Sequence, residues 1–176
     1  WVWRGARCLE PEDRLCLLIL SDGGEDASEV REFDLGTRAF VPGGFRLPRS
    51  KQDVAWLDAD TIVLGRDWGP GTLTQSGYAF VIKTLRRGAP LDQAHEIFRG
   101  QPTDVGVSPY SLFDAETGRR AVMINRAISF FEAETYALTP AGVIRLPLPL
   151  KSTVQGLTGG KLLFTPADWA KITLIA

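Results

Sequence analysis

Few side chains in this sequence could act together as a catalytic group. His95 is the only histidine among the 176 residues, and a serine or cysteine nucleophile needs an imidazole within reach to activate it. No serine occupies the G-x-S-x-G pattern that exposes a nucleophile on a strained turn. Ser108 is followed by Pro109 and lacks the second glycine, and Ser76 lacks the preceding glycine. We therefore predict that His95 is a structural or surface residue and that the chain contains no catalytic residue.

Sites for phosphate, metal ions or organic cofactors are also not predicted. The segment GLTGGKL, residues 156–162, matches a Walker loop only at Gly160 and Lys161, because Leu162 replaces the hydroxyl side chain that would hold magnesium. The segment GPGTLT, residues 69–74, lacks the third glycine of a dinucleotide-binding turn and leads into a strand pattern. One histidine and two cysteines cannot supply four zinc ligands of the Cys and His type. We expect no metal and no organic cofactor.

Four clusters of charged residues coincide with predicted turns. They are Asp58 with Asp60; Asp22, Glu25 and Asp26; Arg86 with Arg87; and Arg119 with Arg120. Paired carboxylates can perform acid–base catalysis or bind calcium, but Asp and Gly are also the residues that tight turns select. The sequence favours a turn role for the carboxylates. It favours solvated turn charges for the arginines, with an ion pair to another domain as the alternative.

Composition and charge are those of an ordinary globular chain with a hydrophobic core. Basic residues number 20 and acidic residues 21, the formal net charge is −1, and 44 % of the residues are hydrophobic. This balance gives no electrostatic reason to expect nucleic acid or a membrane as a partner, and the longest apolar run, Leu15–Leu20, is too short to cross a bilayer. The chain has no initial methionine and opens on an aromatic strand pattern. We expect it to be an excerpt of a longer protein.

The two cysteines, Cys8 and Cys16, fall on neighbouring strand-like segments. Their spacing is compatible with a disulfide and with two free thiols. Because the hydrophobic content makes covalent cross-links unnecessary, we expect free, buried structural thiols.

The elements that must hold these residues are almost all strands. Glycine and proline interrupt the chain frequently and leave only short periodic segments. Apolar strand patterns recur in rounds that end near Pro48, Gln101 and Pro149. A repeat of about 50 residues with four short strands is typical of β-propeller blades, and a single antiparallel sandwich with coincidental spacing is the alternative.

We predict an all-β partial β-propeller with about three four-stranded antiparallel blades plus the start of another. The predicted blades are residues 1–49, 50–101, 102–150 and the partial 151–176.

The segment Asp67–Tyr78, DWGPGTLTQSGY, is too long for a simple hairpin connection. We expect it to join the second and third strands of the second blade, where a loop can lengthen without disturbing the sheet. Packing for structure is favoured, and a contact surface for a partner domain or substrate is the alternative. Trp68 and Tyr78 are expected to fix the loop ends by burial. Trp3 and Trp56 fall at comparable first-strand positions and are expected to pack between blades.

Several segments resemble the propeller of bacterial prolyl oligopeptidase family serine peptidases. The likeness is most specific at REFDL followed by TRAFV, within residues 31–41, and at DWGPGTLTQSGY, residues 67–78. The resemblance implies a seven-bladed propeller above an α/β-hydrolase domain that carries a Ser-Asp-His triad and typically cleaves after proline. None of the family's catalytic positions can be carried over to these residues.

The resemblance implies a noncatalytic role in which the segment gates the access of short peptides to the hydrolase domain. The expected partners are that α/β-hydrolase domain of the same parent chain and the peptide substrates of the parent. The isolated fragment is expected to be inactive. Because a partial propeller leaves apolar faces uncovered, we expect the chain either to self-associate through those faces or to be the ordered remnant of a longer molecule. The alternative is a stand-alone propeller-like module that binds a protein or peptide through loops such as residues 67–78. An independent enzyme that uses His95 with a carboxylate is disfavoured.

Overall fold

The computed structural model describes residues 1–167 and the backbone of residues 173–175. Within these residues the regular structure consists of strands and one 3₁₀ turn at Leu91–Gln93, which confirms the predicted all-β class. The strands are β1 (Val2–Cys8), β2 (Leu15–Ser21), β3 (Ser28–Asp34), β4 (Ala39–Phe40), β5 (Arg46–Ser50), β6 (Gln52–Asp58), β7 (Thr61–Arg66), β8 (Val81–Arg86), β9 (His95–Arg99), β10 (Gly106–Asp114), β11 (Arg119–Ala127), β12 (Ala133–Thr139), β13 (Gly142–Arg145), β14 (Ser152–Thr158), β15 (Lys161–Pro166) and β16 (Thr173–Ile175). In the described part of the chain, no helix has the length and apolar character needed to span a membrane.

The strands form four antiparallel sheets that follow one another along the chain. Sheet 1 contains β1 to β5, and its strand β3 pairs with β2 on one side and with β4 and β5 on the other. Sheet 2 contains β6 to β9 and sheet 3 contains β10 to β13, each in consecutive order. Sheet 4 contains β14 to β16. This succession of small up-and-down sheets is the architecture of a partial β-propeller, as predicted.

Hydrophobic side chains pack between successive sheets. In β7, Ile62 and Leu64 belong to the core cluster shared with sheet 1, whereas Val63 belongs to the cluster shared with sheet 3. Successive side chains of a strand point to opposite faces of the sheet, so sheet 2 is buried on both faces. A third cluster joins sheets 3 and 4 and consists of Met123, Leu148, Leu162 and Phe164.

The two first-strand tryptophans have different environments. Trp56 is completely buried, and its indole N–H donates a 2.8 Å hydrogen bond to the Arg7 carbonyl of sheet 1. The predicted packing between blades is therefore confirmed for Trp56. For Trp3 the prediction is wrong, because its side chain is 67 % exposed. Trp3 lies on the edge strand β1, where a bulge before Gly5 interrupts the pairing with β2.

Cys8 and Cys16 form a disulfide, so the prediction of free thiols is wrong. The two residues are direct partners in the register of β1 and β2, and their Cα atoms lie 4.0 Å apart. The Leu9 N–H donates a hydrogen bond to the Leu15 carbonyl, which closes the turn between the strands in this register. Spacing in the sequence could not specify that register, and the register is what places the two sulfur atoms together.

Candidate functional site

The side chains with catalytic chemistry lie on different sheets. His95 is the exposed first residue of β9, an edge strand of sheet 2. Ser108 lies inside β10, the first strand of sheet 3, and not on a strand-to-helix turn. Among residues 1–167, no group of three or more His, Cys, Asp or Glu side chains is arranged to hold a metal ion.

The glycine turn that partly matches a phosphate loop binds a carboxylate of the neighbouring sheet. The N–H groups of Gly159 and Gly160 donate hydrogen bonds of 3.2 and 2.6 Å to the Asp114 carboxylate. Burial opposes ionisation of Asp114, but the hydrogen bonds from Gly160 and from the Thr117 hydroxyl lower its pKa to about 2. The backbone donors that a phosphate would need are thus occupied, and the turn links sheet 4 to sheet 3.

The segment Asp67–Tyr78 connects β7 to β8. Trp68 is half-buried and its indole N–H donates a 3.1 Å hydrogen bond to the Val81 carbonyl, which fixes the start of the loop as predicted. The predicted burial of Tyr78 is wrong, because this residue is 47 % exposed. The exit of the loop is instead held by the main chain, since the Tyr78 carbonyl accepts a 2.8 Å hydrogen bond from the Thr74 N–H.

The middle of this loop packs against the segment that leads from sheet 2 to sheet 3. The Gln75 N–H donates a 2.9 Å hydrogen bond to the Pro102 carbonyl, and the hydroxyl of the buried Thr74 donates a 3.2 Å hydrogen bond to the Val105 carbonyl. These contacts favour a structural role for the body of the loop.

Among the carboxylates that were predicted to serve turns, Asp58 does so. Asp58 accepts a 2.8 Å hydrogen bond from the N–H of Asp60, which is the geometry of an Asx turn. Glu25 and Asp26, in the connection between β2 and β3, instead form ion pairs with Arg49 at the end of β5 and with Lys51 directly after it.

Arg87 is not a solvated turn charge, although its neighbour Arg86 is exposed. The Nη1 and Nη2 atoms of Arg87 donate hydrogen bonds of 2.7 and 2.9 Å to the two carboxylate oxygens of Glu32. The Glu32 side chain is 1 % exposed, and it also accepts a 2.8 Å hydrogen bond from the Phe45 N–H. The hydrogen bond to Glu32 raises the pKa of Arg87. Since Glu32 lies on β3 and Arg87 follows β8, this pair ties sheet 1 to sheet 2.

Arg120 likewise departs from the prediction, while Arg119 is exposed as expected. The Arg120 Nη1 lies 3.3 Å from a carboxylate oxygen of Glu10, and the Arg120 side chain is only 11 % exposed. Glu10 lies in the turn between β1 and β2, so this pair connects sheet 1 with sheet 3. Arg87 and Arg120 therefore both pair with a residue of another sheet of the same chain. The residues next to them in the sequence do not indicate these distant partners.

A third partly buried arginine carries no signal in the sequence. Arg126 on β11 donates hydrogen bonds of 2.8 and 3.0 Å to the Asp104 carboxylate and one of 3.1 Å to Glu134. Asp104 is 3 % exposed and also accepts a hydrogen bond from the Gln101 N–H. The hydrogen bond to Asp104 raises the pKa of Arg126. The network fastens the segment between sheets 2 and 3 onto sheet 3.

Two cavities open where the second and third strands of the sheets are connected. The larger, about 800 Å³, lies between sheets 3 and 4 and is lined by a row of polar side chains that includes Ser108, Asn125, Thr135, Ser152 and Thr165. The smaller, about 480 Å³, lies where sheets 1, 2 and 3 meet. Its lining includes the charged residues Arg4, Asp26, Lys51 and Asp53, and the rings of Tyr78 and Phe130.

Two exposed aromatic residues stand at the rim of these cavities. Phe130 and Phe131 lie on the connection between β11 and β12 and are 90 and 80 % exposed. Their ring centroids are 5.9 Å apart in an edge-to-face arrangement. Phe130 lines both cavities. Adjacent exposed aromatic rings beside concave surfaces are typical of a surface that contacts another molecule or domain.

The four successive sheets and their connections define the chain as a segment of a β-propeller. Comparison with known proteins indicates the class of protein in which this segment occurs. The chain is 43 % identical over 175 residues to the uncharacterized peptidase y4nA of Sinorhizobium fredii, a match that covers 96 % of this chain and 24 % of that protein. No protein-family model matches the sequence.

Solved structures of prolyl oligopeptidase-family enzymes contain the same fold. A post-proline cleaving enzyme from Rickettsia typhi superposes with a TM-score of 0.80 at 20 % identity, over 99 % of this chain and 31 % of that one. A prolyl endopeptidase superposes with a TM-score of 0.67 at 15 % identity, over 99 % of this chain and 27 % of that one. The resemblance predicted from the sequence is therefore confirmed. The chain spans about a quarter of the length of the curated peptidases that it matches.

Proposed function

We propose that this chain is a noncatalytic propeller segment of a prolyl oligopeptidase-like serine peptidase and that it gates the access of short peptides to a hydrolase domain outside these residues. The observation that carries the proposal is the 43 % identity to a peptidase of which the chain covers 24 %. The fold agrees with it, because four sheets follow one another as blades do. We propose that residues 1–49, 50–101, 102–150 and 151–176 belong to successive blades of one propeller domain.

The proposed partner is an α/β-hydrolase domain of the same polypeptide, and the proposed substrates are peptides. The face that carries the two cavities supports this, since exposed apolar rings beside concave surfaces favour an interaction surface. Phe130 and Phe131 offer such rings, and the polar lining of the larger cavity offers hydrogen-bond partners for a peptide backbone.

The experiment compares this segment with the complete polypeptide that contains it, using fluorogenic peptides that end in proline. We expect hydrolysis by the complete polypeptide and none by the segment, because the one histidine of the sequence, His95, is exposed on the edge strand β9 and could not serve a nucleophile in the G-x-S-x-G pattern, which the sequence lacks. Hydrolysis by the purified segment would overturn the noncatalytic assignment. The gating role is tested with the same cleavage sequence presented in a short peptide and on a folded carrier protein. Equal rates for the two would overturn it.

A stand-alone binding module is the second candidate, and the exposed pair Phe130 and Phe131 favours it. It predicts that the complete polypeptide binds peptides and leaves them intact. Peptide binding with no hydrolysis, under conditions in which a known proline-specific peptidase is active, would support this candidate over the first.

A further inference from the structure

Asp53 differs from the other carboxylates near the sheet interfaces. Asp34, Asp104 and Asp114 each accept hydrogen bonds from an arginine or from backbone N–H groups. Within residues 1–167 no hydrogen bond or ion pair reaches the Asp53 carboxylate, which lines the smaller cavity. Asp53 lies on β6, and the side chains on either side of it, Gln52 and Val54, face sheet 1. By strand alternation the Asp53 side chain therefore faces sheet 3 and the cavity.

The other charged groups of this cavity have partners of their own. The Lys51 Nζ lies 3.8 Å from the Asp26 carboxylate and 4.9 Å from the centroid of the Tyr78 ring. The Arg4 guanidinium donates a 3.2 Å hydrogen bond to the Gly24 carbonyl. Asp53 is an exposed residue that faces the open space of the cavity, and partial desolvation of its carboxyl group raises its pKa, an effect that Arg7 partly opposes. The cavity therefore contains one carboxylate whose charge is not neutralised by a contacting cation.

The remaining lining includes an aromatic residue and uncharged polar residues beside Asp53. Phe130, Ser108 and Asn125 line the same space, while the Tyr78 ring is already in contact with the Lys51 ammonium group. An ammonium group is attracted both to a carboxylate and to the face of an aromatic ring. A volume of about 480 Å³ can hold the end of a peptide or a long side chain.

We propose that Asp53, with the ring of Phe130, forms a subsite for an ammonium group of a peptide, either the α-amino group or a lysine side chain. This inference rests on the proposed function, because it names the end of the substrate that the propeller would hold. The subsite favours peptides with a positive end and gives the gate a chemical preference in addition to a size limit.

The test uses the complete polypeptide and fluorogenic proline peptides of increasing length, in three forms. One form has a free amino terminus, one has an acetylated terminus, and one is acetylated but begins with lysine. We expect a higher kcat/KM for an ammonium-bearing form once the peptide is long enough to reach the cavity. Asp53→Asn should reduce this advantage about ten-fold. The kcat/KM for the acetylated peptide without lysine should not change. An advantage confined to one ammonium form identifies which group binds.

The matched control is Asp22→Asn, which makes the same charge change in the turn after β2, outside the cavity lining. It should retain the advantage. An absent preference in the wild type, or a preference that survives Asp53→Asn, would overturn the subsite. If the wild type cleaves no peptide, the proposed function fails. The binding of labelled free and acetylated peptides, followed by fluorescence anisotropy in wild type and Asp53→Asn, then decides the subsite by itself.

Discussion

Replacing Arg87 by methionine is expected to destabilise the protein by about 3 kcal/mol, because it leaves the Glu32 carboxylate buried without a cation. The Glu32 side chain is 1 % exposed and loses two hydrogen bonds of 2.7 and 2.9 Å. Of the described contacts, only the hydrogen bond from the Phe45 N–H remains. Removing one partner of a buried pair costs about 3–5 kcal/mol. Because Arg87 is 27 % exposed, we expect a value near the lower limit.

Replacing Glu32, the other partner of the pair, is expected to lower the free energy of unfolding by less. In Glu32→Gln the arginine keeps contact with water and with Asp60, whose carboxylate lies 3.2 Å from its Nε, so we expect a loss of about 1–2 kcal/mol. The double variant removes both charges and should lose about 2 kcal/mol less than the sum of the single variants.

The assay is urea-induced unfolding followed by tryptophan fluorescence, with the free energy of unfolding extrapolated to water. Arg86→Met is the matched control, since Arg86 is exposed and its replacement should change the stability by less than about 0.5 kcal/mol. The pair does not hold sheets 1 and 2 together if Arg87→Met is no more destabilising than this control. The same conclusion follows if the loss in the double variant equals the sum of the losses in Arg87→Met and Glu32→Gln.

Three further predictions concern the disulfide, a turn carboxylate and the tryptophans. A thiol titration of the denatured, unreduced protein should find no free thiol, and replacing Cys8 and Cys16 by serine should lower the free energy of unfolding by about 2–3 kcal/mol; two titratable thiols would contradict the bridge. The Asp114 pKa of about 2 in the folded state lies below its unfolded value of about 4, so its stabilising effect is present above pH 4 and is lost as the pH falls through about 2. In Asp114→Asn, acid unfolding monitored by fluorescence should lack this pH-dependent contribution to stability. An acid-unfolding profile identical to that of the wild type would argue against an ionised Asp114 in the turn. Trp56→Ala should cost about 3–5 kcal/mol whereas Trp3→Ala should cost less than about 0.5 kcal/mol in urea unfolding of the same chain, and similar costs would refute the difference in burial.

Much of the fold could be predicted because its information is local. The continuous apolar run of β7 and the Asp58–Asp60 turn depend on residues within one strand or one bend, and both are readable from the sequence. The recurrence of such strands at a regular spacing predicts a row of small sheets. The long loop after Asp67 could also be placed, since its strands lie on either side of it in the chain.

The candidate site could be predicted only in part. The sequence excludes a family hydrolase motif in this segment, but it contains no sign that Asp53 would face a cavity beside Tyr78 and Phe130. These three residues come from sheet 2, from the loop after β7 and from the connection after β11. Their proximity depends on how neighbouring sheets pack, and that packing leaves no periodic signal in the chain.

The amino-acid sequence by itself determined the strands, the turns and the repeat, because each depends on neighbouring residues and on the two-residue period of a strand. The tertiary structure alone decided which charges and thiols meet. Glu32 and Arg87 are 55 residues apart, and Glu10 and Arg120 are 110 residues apart. Cys8 meets Cys16 only in one hairpin register. A shift of one residue in a strand turns every side chain to the other face, so these partners are fixed by register and by the packing of one sheet on the next.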